Sequence, residues 1–380
     1  MIPYNRQKIF KEDINEVFKS LRNKLITTGP YVKRFENQIQ KKIGVKYATV
    51  CSSGTAAITL AIYSLGVKRG DVFILPIINF VCASNILDKI GAKVYYADVD
   101  PSSGQITPET LERCIKINKI KNIKAFFTMY LGGNANNVEK FFRLKKKYKC
   151  YLIEDACHAL GAKYKYKNKK HYIGNCKLSD ICTFSLHPVK TITSGEGGII
   201  TTNNLNIKNK IDSLRSHGIV RLKYHWDYDV KSTGFNFRLS DINCALGHSQ
   251  FEKLDKIVNL RRKIYKKYTL RLKDNKYITI LNSDKNSSLH LLIAKIDFSK
   301  IKSNKNKFFK FFLRNGILLQ QHYIPIYKFT AYKNKIPKKN FFGAKKYYSS
   351  SFSLPIYLGL KDNEIEFICK KIEQFISNKI

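Results

Sequence analysis

The sequence has no Cys-x-x-Cys pair, and its nine cysteines are scattered and odd in number. That argues against a disulfide framework or a zinc site, and for a reducing compartment. No run approaches the ~20 apolar residues of a membrane span, and the first residues, MIPYNRQKIF, hold no apolar signal core. A soluble, cytoplasmic protein with no membrane partner is expected. Internal repeats and low-complexity linkers are also missing. Acidic residues are scarce: 28 Asp and Glu face 69 Lys and Arg, for a formal charge of +41. Such an excess would attract nucleic acid or an anionic surface. The lysines are spread along the chain, however, and Asn and Ile are abundant too, so the excess reads as compositional bias. In KNKFFKFFLRNG, for example, Phe308, Phe309, Phe312 and Leu313 predict one apolar helix face with lysines on the other. No nucleic-acid partner is expected.

What is present describes a globular protein. The chain has 380 residues, 44% hydrophobic and 13% aromatic, ample for a large core and a soft prior for two domains. Short apolar runs at 48–51, 72–75, 94–98, 125–129, 151–154, 181–185 and 199–202 alternate with amphipathic helices. The runs are mostly continuous, as expected when both sheet faces are covered. Ile58, Ala61, Ile62 and Leu65 form one helical stripe, and Thr107-Pro108-Glu109 reads as a capped helix start. These features predict an α/β domain with a mostly parallel sheet over 20–245. Leu254, Ile257, Val258, Ile264, Tyr265 and Tyr268 mark a long helix leading away from it. Residues 246–380, with 1–19, are expected to form a smaller α+β domain.

Four features of the α/β half converge on one chemistry. Ser52-Ser53-Gly54-Thr55 lies between a strand and a helix, where small residues and free N–H groups favour a phosphate. Glu154-Asp155-Ala156-Cys157-His158 falls at the carboxyl end of a strand, where ligands of open α/β sheets bind. Lys190 follows the strand ending at Ser185 and stands beside Gly195, Gly197 and Gly198. A lysine held there in a partly dry site has a lowered pKa and can condense with an aldehyde. Phe80, just beyond the strand 72–75, offers a ring for a planar group. Together they describe a pyridoxal 5'-phosphate site: phosphate at Gly54 and Thr55, Lys190 at the aldehyde carbon, Asp155 at the ring nitrogen.

Seven ordered segments then carry a resemblance. LITTGPYVKRFE, SSGTAAITLA, NFVCASN, EDACHALGAKY, TFSLHPVKTITSGEGG, LRSHGI and GFNFRLSDINCALGHSQ span nearly the whole chain. The sequence resembles the DegT/DnrJ/EryC1/StrS sugar aminotransferases, which have the fold-type-I architecture of pyridoxal phosphate enzymes. The resemblance implies Ser185 as a phosphate ligand, His158 beside the cofactor ring, and a homodimer in which Asn236 reaches the partner's phosphate. It also implies substrate contacts from Tyr4, Lys24 to Thr27, and His322-Tyr323-Ile324-Pro325. Arg238 is a candidate for an anionic group of the substrates, or equally for a structural ion pair. IPYNRQKI, FSLHPVK and HYIPIY look most like members acting on a UDP-linked 4-keto-6-deoxy-N-acetylhexosamine in pseudaminic acid biosynthesis, with L-glutamate as amino donor. Deoxygenating relatives carry histidine in place of this lysine, so Lys190 favours transamination. A GDP-linked or 3-keto sugar is the rival within the chemistry, and a basic nucleic-acid-binding protein the rival outside it. One departure is Tyr130-Leu131-Gly132-Gly133-Asn134, where the family usually has Gly-Gln or Gly-x-Pro, and the role of that loop stays open.

Overall fold

The fold is a computed structural model describing residues 1–281, 285–337 and 340–378. All seven expected strands are present, with ends shifted by a residue or two. They are β1 (Tyr47–Cys51), β2 (Val72–Pro76), β3 (Lys93–Ala97), β4 (Ile123–Met129), β5 (Tyr151–Asp155), β6 (Ile181–Ser185) and β7 (Gly198–Thr202). They form one sheet in the order β1-β7-β6-β5-β4-β2-β3. Pairing is parallel from β6 through β3, while β7 runs against both its neighbours.

Helices cover both faces. In α2 (Pro30–Ile43), Tyr31, Phe35, Ile39 and Ile43 are buried at fourfold spacing, one stripe toward the core. Pro30 opens that helix, and Gly44 closes it with φ 75°, a conformation that favours glycine. Helix α3 (Gly54–Ser64) is buried almost all round, because its alanines and isoleucines lie against the sheet and a second helix layer. The predicted helix after Thr107 runs Pro108–Ile117, with the Thr107 hydroxyl accepting from Thr110 N at 3.2 Å.

After α4 (Asp241–Glu252), the long helix α5 (Leu254–Arg271) leads to a second core. There a three-stranded antiparallel sheet (278–280, 292–296, 351–354) packs with α6 (Lys305–Arg314) and α7 (Asp362–Ser377) around Tyr268, Phe308, Phe312, Ile368 and Phe375. The predicted face of α6 needs one correction. Phe308 and Phe312 are buried and Phe309 packs beside them, but Leu313 is exposed and Phe311 takes its place. The helix is turned so that the 308/311/312 edge meets Phe375.

The N-terminal arm has two attachments. Ile2 bridges Ile317, and Tyr4 O accepts from Ile356 N at 3.0 Å, both in the second core. Helix α1 (Lys11–Leu21) instead packs on α4, where Asp13 accepts from Ser249 Oγ and Lys253 Nζ. The arm thus carries Tyr4 across the carboxyl ends of the sheet strands.

Candidate active site

A cavity of about 660 Å³ opens where the strand ends meet the second core and the N-terminal arm. Its lining includes ten residues expected from sequence: Tyr4, Gly54, Thr55, Phe80, Asp155, His158, Ser185, Lys190, His322 and Tyr323.

Local chain geometry explains their convergence. Successive side chains of a strand point to opposite faces. At the end of β5 this separates two neighbouring acids. Glu154 turns into the core and accepts from Tyr130 Oη at 2.5 Å and Ser179 Oγ at 2.9 Å. Asp155 turns to the cavity, 3% exposed, with Cys157 N donating to its Oδ1 at 3.2 Å. Among the described residues it has no Lys or Arg ion pair. Burial raises its pKa, and the Cys157 hydrogen bonds and the Lys190 charge offset only part of that. An acid placed so has room for a cationic hydrogen-bond donor.

Helix α3 starts at the edge of the cavity. Ser53 caps it, its hydroxyl accepting from Ala56 N at 3.0 Å. The N–H groups of Gly54 and Thr55, at the first two helical positions, have no carbonyl within the helix to meet. A Cβ on Gly54 would stand 2.8 Å from Ser185 Cβ, so glycine is what lets the helix start and Ser185 close into one cradle. Gly198 makes the neighbouring approach: a Cβ there would lie 2.2 Å from Ser53 O.

Between Ser185 and Gly198 runs the Lys190 turn. Lys190 N donates to His187 O, Thr193 Oγ1 to Leu186 O and Leu186 N to Gly197 O, which makes it a rigid turn. Asn243 of α4 braces it through Ser194 O at 2.6 Å. Burial lowers the Lys190 amine below its usual range, and Cys157 and Asp155 oppose the shift only partly.

The opposite wall is aromatic. Phe80 is 56% exposed and faces Tyr323 at 6.0 Å between ring centres. The Tyr323 hydroxyl lies 2.8 Å from His158 Nε2, and Gly132 N donates to His158 Nδ1 at 3.4 Å. That puts the His158 proton on Nε2. The loop whose role stayed open in the sequence therefore holds His158, with Gly132 and Gly133 at φ 71° and 98° to bring its backbone close. His322 Nδ1 pairs with Ser353 Oγ at 2.8 Å, and burial followed by the Lys190 charge lowers its pKa to about 3.

Five expected residues lie outside this cavity. Pro325 is buried and starts a short turn, Ile326–Lys328. Lys24 and Thr27 are exposed, as is Asn236, while Arg238 is half-buried; none lines the cavity. Thr27 bridges Ser240, so these four gather on one band of surface around the start of α4. No ion pair to Arg238 is present among the described residues.

Among the lining residues that the sequence reading did not single out are His290 and Cys157. His290 is 1% exposed, and its ring lies 4.4 Å from that of His158. Burial pushes both imidazoles well below their usual range. Its signal was a lone histidine in the apolar run Leu289–Ile293. Cys157, beside Asp155, was quoted only as part of a motif.

Comparison with known proteins identifies the family of the whole chain. A family model described as the DegT/DnrJ/EryC1/StrS aminotransferase family matches residues 7–373. A UDP-4-amino-4,6-dideoxy-N-acetyl-beta-L-altrosamine transaminase of Campylobacter jejuni subsp. jejuni is 37% identical over 97% of this chain and 96% of its own. One of the same name from Helicobacter pylori is 32% identical over 99% and 98%. The solved structure of Helicobacter pylori PseC, an aminotransferase involved in the biosynthesis of pseudoaminic acid, superimposes with TM-score 0.90 at 30% identity, covering 99% of each chain. By this match over residues 7–373 and these relatives, the chain belongs to the DegT/DnrJ/EryC1/StrS aminotransferase family.

Proposed function

We propose that this chain transfers the amino group of L-glutamate to C4 of a UDP-linked 4-keto-6-deoxy-N-acetylhexosamine, using pyridoxal 5'-phosphate. The observation that carries this reading is one cavity wall holding a buried acid with no ion pair among the described residues, a lysine whose amine is lowered by burial, and a glycine-opened helix start. These three suit the ring nitrogen, the aldehyde carbon and the phosphate of that cofactor, in that order.

When bound, the cofactor supplies an electron sink for the charge left on carbon when a proton departs. The chain supplies the rest. Asp155 holds a proton on the ring nitrogen, and Gly54, Thr55 and Ser185 orient the phosphate. Phe80 covers one side of the site, with His158 and Tyr323 fixed to each other across it. Lys190 Nζ, its pKa lowered by burial, takes the proton from the amino-bearing carbon of glutamate. The same amine serves the second half-reaction at C4 of the sugar. One site used twice requires ping-pong kinetics.

Tyr4, His322 and Tyr323 are assigned to the sugar nucleotide on this reading, as walls of the cavity opposite Lys190. Lys24, Thr27, Asn236 and Arg238 are assigned to the cavity of a second copy. Apolar side chains left exposed beside that band support a dimer: Ile14, Phe18 and Leu21 on α1, then Leu25 and Ile26. A cytoplasmic setting and a division into domains at about residue 245 belong to the same proposal. Among the described residues no helix is long and apolar enough to cross a membrane.

The test is direct. Purified protein is expected to be yellow, to lose that colour on adding glutamate, and to carry the cofactor on Lys190 after borohydride reduction. Incubation with glutamate and a panel of UDP- and GDP-linked 4-keto sugars should aminate the UDP-linked acetamido sugar fastest. Faster amination of a GDP-linked sugar would replace the substrate and keep the chemistry. Colourless protein that binds polynucleotide with a steep salt dependence would overturn both.

A further inference from the structure

Arg261 stands in the middle of the apolar stripe of α5, between Ile257 and Ile264 and one turn or two from Val258 and Tyr268. It is 2% exposed and, among the described residues, has no carboxylate partner. A buried charge without a counter-ion is costly, so its hydrogen bonds indicate what it is kept for. Nη1 donates to Ile356 O at 2.9 Å, His290 O at 3.2 Å and Leu289 O at 3.4 Å. Nη2 donates to Asn5 Oδ1 at 3.2 Å. Asn5 in turn donates from Nδ2 to Val189 O at 2.7 Å, and Ile356 N donates to Tyr4 O at 3.0 Å.

Each of these contacts ends on, or next to, a residue lining the active-site cavity. His290 is held at its own carbonyl. Tyr4 is held through Ile356 and flanked by Asn5. Lys190 follows Val189 directly. Arg261 and Lys190 also border one narrow crevice behind the turn, together with Thr191 and Ile192.

We propose that Arg261 is a positioning residue for this aminotransferase: acting through Asn5, it sets the place of the Lys190 turn relative to the Tyr4 and His290 walls. Its flat, forked guanidinium can meet four acceptors from three chain segments at once, which a lysine ammonium cannot match in geometry. Burial lowers its pKa to about 10, so it stays charged at neutral pH.

The proposal rests on Lys190 as the reacting amine, and its test separates the two. In cofactor-free protein, the rate of reductive methylation of Lys190 by formaldehyde and borohydride is followed by peptide mass spectrometry for wild type, Asn5→Ala, Arg261→Met and the double variant. That rate reads the placement of the amine without any turnover. It should change several-fold in each single variant and no further in the double, because both break the same chain of contacts. In loaded enzyme kcat should fall about 10- to 100-fold, with KM for the sugar nucleotide changed less. Arg261→Lys should recover only part of the loss. If Arg261→Met does not fold, Asn5→Ala alone decides, since it leaves the guanidinium and its carbonyl contacts in place. A lower melting temperature with unchanged methylation rate and unchanged kcat would reduce Arg261 to a structural role. Additive effects in the double variant would break the link through Asn5.

Discussion

Asp13 and Asp155 are both buried carboxylates, yet they are treated in opposite ways. Asp13 is fully enclosed where α1 meets α4, and four donors reach it: Phe10 N at 2.8 Å, Ser249 Oγ at 2.7 Å, Gln250 Nε2 at 2.5 Å and Lys253 Nζ at 3.0 Å. Burial alone would raise its pKa, but these contacts together hold it below its usual value. Asp155 has its local turn with Cys157, a contact with Asn79 and the charge of Lys190, which together do not offset burial, and its pKa stays raised. A structural acid is satisfied within the chain. On the function proposed above, the acid whose pKa stays raised is the one that meets a ligand.

The largest expected effect tests the amine that faces Asp155. Lys190→Arg keeps the charge but removes the movable proton. Turnover should drop by about 10³-fold or more while the melting temperature stays near wild type. Substantial residual transamination in that variant would remove Lys190 from the mechanism.

Next comes the pair that breaks the comparison itself. Asp13→Asn should destabilise the fold by about 3 kcal/mol, because Lys253 and its neighbours lose the charge they surround, and kcat of the folded fraction should hold. Asp155→Asn should do the reverse, lowering kcat about 100-fold while the cofactor-free protein melts no lower than wild type. Urea unfolding and steady-state kinetics on both variants check the two halves, and equal behaviour would erase the distinction.

A smaller effect concerns the cradle. Gly54→Ala places a methyl group 2.8 Å from Ser185 Cβ, so cofactor affinity should weaken about tenfold with secondary structure unchanged, as read by cofactor titration and circular dichroism.

The smallest is the pH dependence of cofactor-free stability. His158, His290 and His322 have folded pKa values below their unfolded one, so the unfolded chain binds more protons in the window between. The contribution of these three histidines to stability should therefore fall as pH drops from ~6.5 toward 4. The depressed Asp13 adds to this only once pH falls below its unfolded value of ~3.9. Melting temperatures of His290→Gln should fall less steeply over the upper window.

The sheet was legible because its strands are buried on both faces and so read as continuous apolar runs, as Val72–Leu75 and Ile199–Thr202 do. Asp155, Lys190 and Gly54 were legible because each sits at a strand end with a distinctive neighbour. Strand alternation, which divides Glu154 from Asp155, required the register. His290 and Arg261 were hidden for a different reason: both are single polar residues inside apolar stripes, and what they serve lies far away in sequence. The outward position of Leu313 was also beyond reach, since two adjacent apolar pairs allow more than one helix face.

The segment from Ser185 to Gly198 has a consequence for how such an enzyme diversifies. It carries Ser185 and Lys190, the reacting amine on the proposed function, and its last residue lies close against Ser53 at the helix start. The separation between Ser185 and Lys190 is thereby set inside a single short stretch, which the Asn5–Val189 contact ties to the arm carrying Tyr4. On the function proposed above, replacing His322 and Tyr323 would change the sugar accepted while Ser185 and Lys190 keep their spacing.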